Sequence, residues 1–205
     1  IDSIFPLGSK AGSSIEVGIK GSDLDPSGKL FFEDSRIKSE SLGGNKFKVS
    51  VDEEVSPGIY DFRHGGKSGT TSSLSFLVSN LEEFTVQNEA VTKDKAMPID
   101  QSMFLNGLIQ KGNAHFFKFS LNENERVFVD CFAERINSRM DALIVVEDPN
   151  GNEVGRSREA IGGDPLIDFK AQKSGEYILR VSDFLTRGGD DYWYRVRIRK
   201  AAQID

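Results

Sequence analysis

Short runs in which apolar and polar side chains alternate, each closed by Gly, Pro or Asp, recur along the whole of this chain. Alternation of period two puts successive side chains on opposite faces of a strand, so it points to half-buried β-strands and away from helices. Ser14-Ile-Glu-Val-Gly-Ile-Lys20 places Ile15, Val17 and Ile19 on one face, and Lys46-Phe-Lys-Val-Ser-Val-Asp52 places Phe47, Val49 and Val51 opposite Lys48 and Ser50. Further strands are expected at Leu30–Glu33, Ile59–Arg63 and Leu74–Val78, with turns at Asp25-Pro-Ser-Gly28, Gly43-Gly44 and Pro57-Gly58. Short strands spaced by such turns predict a small β-sandwich over residues 1–79.

A second patterned region follows, over residues 99–205. It offers strands at Phe104–Ile109, Ala114–Leu121, Arg126–Ala133, Ala142–Glu147, Glu153–Ser157, Leu166–Ala171, Tyr177–Asp183 and Tyr192–Arg199. Asp148-Pro-Asn-Gly151 is a hairpin signal, because Pro presets φ and Gly accepts a positive one. This density of strands suits a jelly-roll-like sandwich. The mixed, polar stretch 80–98 reads as a linker, with a short ordered segment near Phe84–Val86. The fold class expected is therefore all-β, two sandwiches in tandem, and a length of 205 residues accommodates two domains of common size.

Composition narrows the partners. The formal charge is -6, and no region is basic: residues 1–79 hold 9 basic and 11 acidic side chains, and residues 99–205 hold 15 and 17. Nucleic acid needs a positive surface to displace counterions, so it is not an expected partner. No apolar run reaches the roughly 18–20 residues of a membrane-spanning helix, and membrane insertion is not expected. A single cysteine, Cys131, excludes an internal disulfide. The chain begins at Ile1 with no signal-like segment, which suggests a piece of a longer protein whose export signal lies upstream.

The second region resembles the bacterial pre-peptidase C-terminal domain, a β-sandwich appended to exported peptidases and other secreted proteins. The residues that carry the resemblance are Phe104-Leu-Asn-Gly-Leu-Ile109, Phe117-Lys-Phe119 after Gly112, and Ser138-Arg-Met-Asp141 leading into Leu143-Ile-Val-Val-Glu-Asp-Pro-Asn-Gly151. They continue in Ser174-Gly-Glu-Tyr-Ile-Leu-Arg-Val-Ser-Asp183, Gly188-Gly189 and Tyr192-Trp-Tyr-Arg-Val-Arg-Ile198. Where that family places two acids in a turn, this chain has Asn113 and His115, so no acidic site is inherited there. The first region is similar to immunoglobulin-like IPT/TIG-type domains in Pro6 and Gly8, in the strand Gly12–Gly21 with Ser22-Asp-Leu24 after it, in Pro57-Gly-Ile-Tyr60 and in Ser72-Ser-Leu-Ser-Phe-Leu-Val78. Together the resemblances imply an extracytoplasmic location (periplasmic, cell-surface or secreted) and an accessory role beside neighbouring domains of a parent protein.

Catalysis by a hydroxyl or thiol nucleophile needs a base and a group that orients it. The two histidines, His64 and His115, fall in different regions, and no Gly-x-Ser-x-Gly turn is present. His64 precedes Gly65-Gly66 at a strand end, and His115 shares the parity of Phe117 and Phe119 at the rim of a core face. Cys131 shares its face with Val127 and Val129, which makes it a small buried hydrophobe. No catalytic residue is assigned and the chain is not expected to be an enzyme.

Two binding features remain. Zinc lacks ligands, but oxygen-rich clusters occur at Asp148-Pro-Asn-Gly-Asn152, at Asp164/Asp168 and at Gly188-Gly-Asp-Asp191, and Asp190 and Asp191 are the candidate ligands of a structural calcium. In the last strand the even positions Tyr192, Tyr194, Val196 and Ile198 form a core face, leaving Trp193, Arg195, Arg197 and Arg199 on the other. That second face reads either as a platform for polysaccharide or an extracellular protein, through Trp193, Arg195 and Arg197, or as arginine stems stacked on Trp over a solvated surface. The expected function is a non-catalytic accessory, spacer or interaction fragment of an exported bacterial protein, with a carbohydrate- or matrix-binding module as the alternative.

Overall fold

The computed structural model describes residues 1–86, 90–100 and 103–201. Among them there is no α-helix, only β-strands and two single-turn 3-10 segments, so the chain is all-β. It divides into two compact units, residues 1–83 and 84–205.

The first unit contains nine strands: β1 (Ser3–Phe5), β2 (Gly8–Lys10), β3 (Ser14–Lys20), β4 (Lys29–Phe32), β5 (Ile37–Gly43), β6 (Lys46–Val51), β7 (Gly58–Gly66), β8 (Gly69–Thr70) and β9 (Leu74–Ser79). They form two sheets, β1-β3-β6-β5 and β2-β9-β7-β4, with β8 hairpinned onto β7. Antiparallel register sets Val17 opposite Phe47 and Ile15 opposite Val49, as the alternation requires. The buried apolar residues Val17, Ile19, Phe47 and Val49 of one sheet and Leu30, Phe62, Phe76 and Val78 of the other supply the core. Phe47 meets His64 edge-on across it, with ring centroids 6.2 Å apart.

The second unit contains β10 (Glu82–Thr85), which begins at the boundary, then β11 (Met97–Pro98), β12 (Met103–Leu108), β13 (Ala114–Leu121), β14 (Arg126–Phe132), β15 (Ala142–Glu147), β16 (Glu153–Ser157), β17 (Leu166–Lys170), β18 (Gly175–Asp183) and β19 (Trp193–Lys200). Two five-stranded sheets result, β10-β12-β19-β14-β17 and β11-β13-β18-β15-β16. Between them lies one apolar cluster that includes Leu105, Phe117, Phe119, Val127, Val129, Cys131, Val181, Tyr194 and Val196.

The stretch 80–98, expected to be a linker, is part of this structure. It supplies an edge strand to each sheet through β10 and β11, and a 3-10 turn at Lys93–Lys95. Val86, Ala90 and Ala96 are buried. Each of these strands is short and sits at a sheet edge, so too few apolar residues mark them for periodicity to register. The turn Asp148–Gly151 forms as expected: Asp148 accepts backbone N–H bonds from Asn150 and Asn152 at 2.8 Å each, and Gly151 has φ 83°.

Candidate functional site

Four loops leave one end of the second sandwich: 109–113, 133–141, 158–165 and 184–192. Antiparallel pairing brings them together, because β12 ends where β19 begins (Leu108 opposite Trp193) and β18 ends where β15 begins (Asp183 opposite Ala142). Backbone hydrogen bonds tie the loops to one another, from Gly112 to Thr186, Gly189 to Ile109, Arg139 to Asp191 and Phe184 to Asp141. Gly188 passes so close to its neighbour that an added Cβ would lie 2.3 Å from the Gln110 carbonyl carbon.

Two buried aspartates organise this end. Asp183, at the tip of β18, accepts the backbone N–H groups of Asp141 (3.0 Å), Leu185 (3.1 Å) and Arg187 (2.8 Å) and both Nε and Nη2 of Arg187. Burial alone would raise its pKa, but the Arg187 guanidinium and the N–H groups outweigh that and hold the carboxyl below its usual value. Asp164 plays the same part between two other loops, accepting N–H from Glu134 at 2.7 Å and from Arg135 at 3.2 Å, and Arg135 Nε at 2.8 Å. Arg158 then pairs bidentately with Asp141 at 2.8 and 2.7 Å and lies over the Phe184 ring at 4.0 Å. On this fixed frame Phe184 and Leu185 stand 45% and 58% exposed, and Ile161 on a neighbouring loop is 46% exposed.

The Trp193 face is not solvated, and the expectation that it is open to a ligand is corrected. Trp193 and Arg195 are both 0% exposed. Their strand is the central one of its sheet, and the loop after β14 lies over Trp193, whose Nε1 donates to the Ile136 carbonyl at 3.3 Å. Arg195 and Arg197 stack on Phe104 at 4.5 and 5.0 Å, and Arg135 stacks on Phe132 at 4.0 Å. Asp130 anchors the arginines, accepting from Arg135 at 3.1 Å and Arg197 at 2.8 Å, with Arg199 at 3.8 Å. Burial, then the neighbouring Arg197, lowers the pKa of Arg199. Paired and stacked in this way, the second face is an inner layer of the fold.

Asp190 and Asp191 fall on the loop end. Asp191 faces Arg139 at 3.3 Å, and its carbonyl accepts from the Arg139 N–H and the Ser138 hydroxyl. Two adjacent carboxylates, one of them opposite an arginine, fall short of the six to eight oxygens that calcium takes. Asp168 is likewise paired bidentately, with Arg126. Among the described residues no group of three or more His, Cys, Asp or Glu is placed to hold a metal ion.

The groups examined for catalysis lie in the cores. His64, expected at a turn, is buried beneath Gly28, whose hypothetical Cβ would sit 2.3 Å from Nε2. His115 is buried with Nδ1 2.8 Å from the Tyr194 hydroxyl, and burial depresses its pKa to about 4. Burial, then the charges of Asp164 and Asp130, pushes the Cys131 thiol well up, which disfavours the thiolate. No helix among the described residues is long and apolar enough to cross a membrane.

No protein-family model matches the chain, and no curated protein matches it. Solved structures do resemble it. The pre-peptidase C-terminal domain of a collagenase from Bacillus anthracis is 14% identical, covers 58% of this chain and 94% of its own, and has a TM-score of 0.37. PliG from Aeromonas hydrophila, a periplasmic inhibitor of g-type lysozyme, is 13% identical over 58% of this chain and 96% of its own, with a TM-score of 0.38. SGBP-B from the mixed-linkage glucan utilization locus of Bacteroides ovatus, solved with a heptasaccharide, is 9% identical over 95% of this chain and 72% of its own, with a TM-score of 0.31. At such values these are likenesses from which no activity is assigned.

Proposed function

We propose that this chain is a non-catalytic interaction and spacer fragment of a larger exported bacterial protein, and that the loop end of its second unit meets a protein partner, either a neighbouring domain of the parent or an extracellular protein. The observation that carries the reading is the Phe184–Leu185 pair, held exposed on a loop whose backbone is fixed by Asp183. Large apolar side chains on a preorganised loop are what protein interfaces use as anchors, because little ordering entropy remains to be lost on contact. The burial of His64, His115 and Cys131 supports the absence of chemistry in the same reading.

In family terms, we read the second unit as a pre-peptidase C-terminal-type domain and the first as an Ig-like one. The motif Ser174–Asp183 ends on the residue that organises the loop end, which gives its terminal acid a structural purpose. An extracytoplasmic location belongs to the same proposal.

Two measurements test it. Assayed against peptide, ester and glycoside substrates, the chain is expected to give no turnover, and turnover overturns the non-catalytic reading. Displayed on an array of extracellular-matrix proteins and parent-protein domains, it is expected to bind a partner and to lose at least about 2 kcal/mol, roughly 30-fold in Kd, in the Phe184→Ala/Leu185→Ala variant. Binding unchanged in that variant, or none to any member, removes the loop end as the interaction surface.

A further inference from the structure

At the opposite end of the second sandwich, between the edge strands β16 and β17, a cleft of about 470 Å3 opens beside the Asp148–Asn152 turn. That volume lies within the range of small-ligand pockets, roughly 300–1,000 Å3. Phe169 and Tyr177 line it where the core reaches the surface, their ring centroids 5.7 Å apart, and the exposed Val154 extends this apolar wall. Tyr177 is fixed by donating its hydroxyl to the Lys173 carbonyl at 2.9 Å.

The polar lining is amide and ammonium. Among the described residues, no hydrogen bond engages the side chains of Lys170, Gln172 or Lys173, which leaves them able to bind a ligand. The two acids are already engaged: Asp148 takes the N–H groups of Asn150 and Asn152, and Glu153 pairs bidentately with Arg156. The lining charges balance, with Asp148 and Glu153 against Lys170 and Lys173. A balanced lining gives a charged ligand no net electrostatic gain, whereas an apolar wall beside neutral donors matches a ring with one apolar face and a hydroxylated edge.

From this juxtaposition we propose that the cleft is a binding site for an uncharged oligosaccharide, with one sugar face against Val154, Phe169 and Tyr177 and its hydroxyls on Gln172, Lys170 and Lys173. The site lies at the other end of the sandwich from Phe184, so it stands or falls independently of the loop-end reading.

The test is titration of the whole chain with neutral hexasaccharides of glucose, xylose, mannose and N-acetylglucosamine, followed by amide NMR shifts and calorimetry. A pentagalacturonate serves as the acidic control. At millimolar ligand, at least one neutral sugar is expected to shift amides in 148–154 and 170–177 saturably, with 184–191 unmoved. Gln172→Ala/Lys173→Ala, at exposed positions, is expected to weaken binding by about tenfold or more. Val154→Arg, which obstructs the cleft without removing a polar contact, should do the same, and both variants should keep the wild-type Tm. No shift with any neutral sugar, shifts confined to other residues, undiminished binding in both variants, or binding of the galacturonate alone each overturns the proposal.

Discussion

His115 is a residue whose environment forbids its charge. Its ring lies in the core against Tyr194, and burial holds its pKa near 4, below the ordinary 6.5. As pH falls from about 6.5 towards 4, the unfolded chain takes up a proton that the folded one refuses, so stability declines across that window and levels off below it. The loss attributable to His115 is on the order of 3 kcal/mol. Denaturant unfolding at pH 7 and pH 4.5 is expected to show it, and a His115→Gln variant to show a correspondingly smaller difference between the two. Tyr194→Phe leaves the buried His115 Nδ1 without its partner and is expected to cost about 1–3 kcal/mol at pH 7. The sequence placed His115 on the rim of a core face from its parity with Phe117. It could not give Tyr194 as its partner, because the two residues lie on strands of different sheets. Trp193 shows the other limit. Parity assigns a side chain to a face of the sheet and says nothing about whether that face is covered.

Strands that alternate over many residues were legible as elements. Ser14–Lys20, Ala114–Leu121, Ala142–Glu147 and Glu153–Ser157 run between the residues that periodicity and turn chemistry marked. β5 was not legible, because Ile37-Lys-Ser-Glu-Ser-Leu-Gly43 is a mostly polar edge strand with buried Ile37 as its one core residue. The two aspartates that organise the loop end were also missed, although the spacing of Asp183 and Arg187 around a strand end was a usable signal. At this scale the decisive variant is Asp183→Ala. It strands the N–H groups of Asp141, Leu185 and Arg187 and the Arg187 guanidinium, and is expected to cost about 3 kcal/mol or more. Hydrogen exchange is expected to quicken first at the amides of Leu185 and Arg187, while the β13–β18 ladder stays protected. Uniform loss of protection would mean that the loop is not a separately held element.

For the molecule as a whole, the boundary between the units bears on how the chain can be divided. Composition put the second domain at residue 99, but β10 and β11 are edge strands of its two sheets, and Val86 belongs to its core. A chain of residues 84–205 is expected to fold with a sharp thermal transition. One of residues 99–205 lacks both edge strands and the buried Val86, Ala90 and Ala96, and exposes strand edges that invite association. Burial of a large apolar side chain is worth roughly 1.5–3 kcal/mol, so the shorter chain is expected to melt at a clearly lower temperature or to aggregate. Equal melting of the two would return the stretch 84–98 to the status of a linker.

Cys131 sits wholly inside the second sandwich, the sole thiol of 205 residues. An alkylating reagent reaches it only when the sheets part, so the chain carries a built-in clock for its own opening. In the native state the modification rate is expected to follow the opening equilibrium, rising steeply with urea and falling to nearly nothing without it. A rate indifferent to urea would place the thiol within reach of solvent. Because the clock is silent in the folded protein, a cysteine introduced at Leu185 or Val154 would take a fluorophore by itself, and each end of the sandwich could be watched separately in one otherwise unaltered chain.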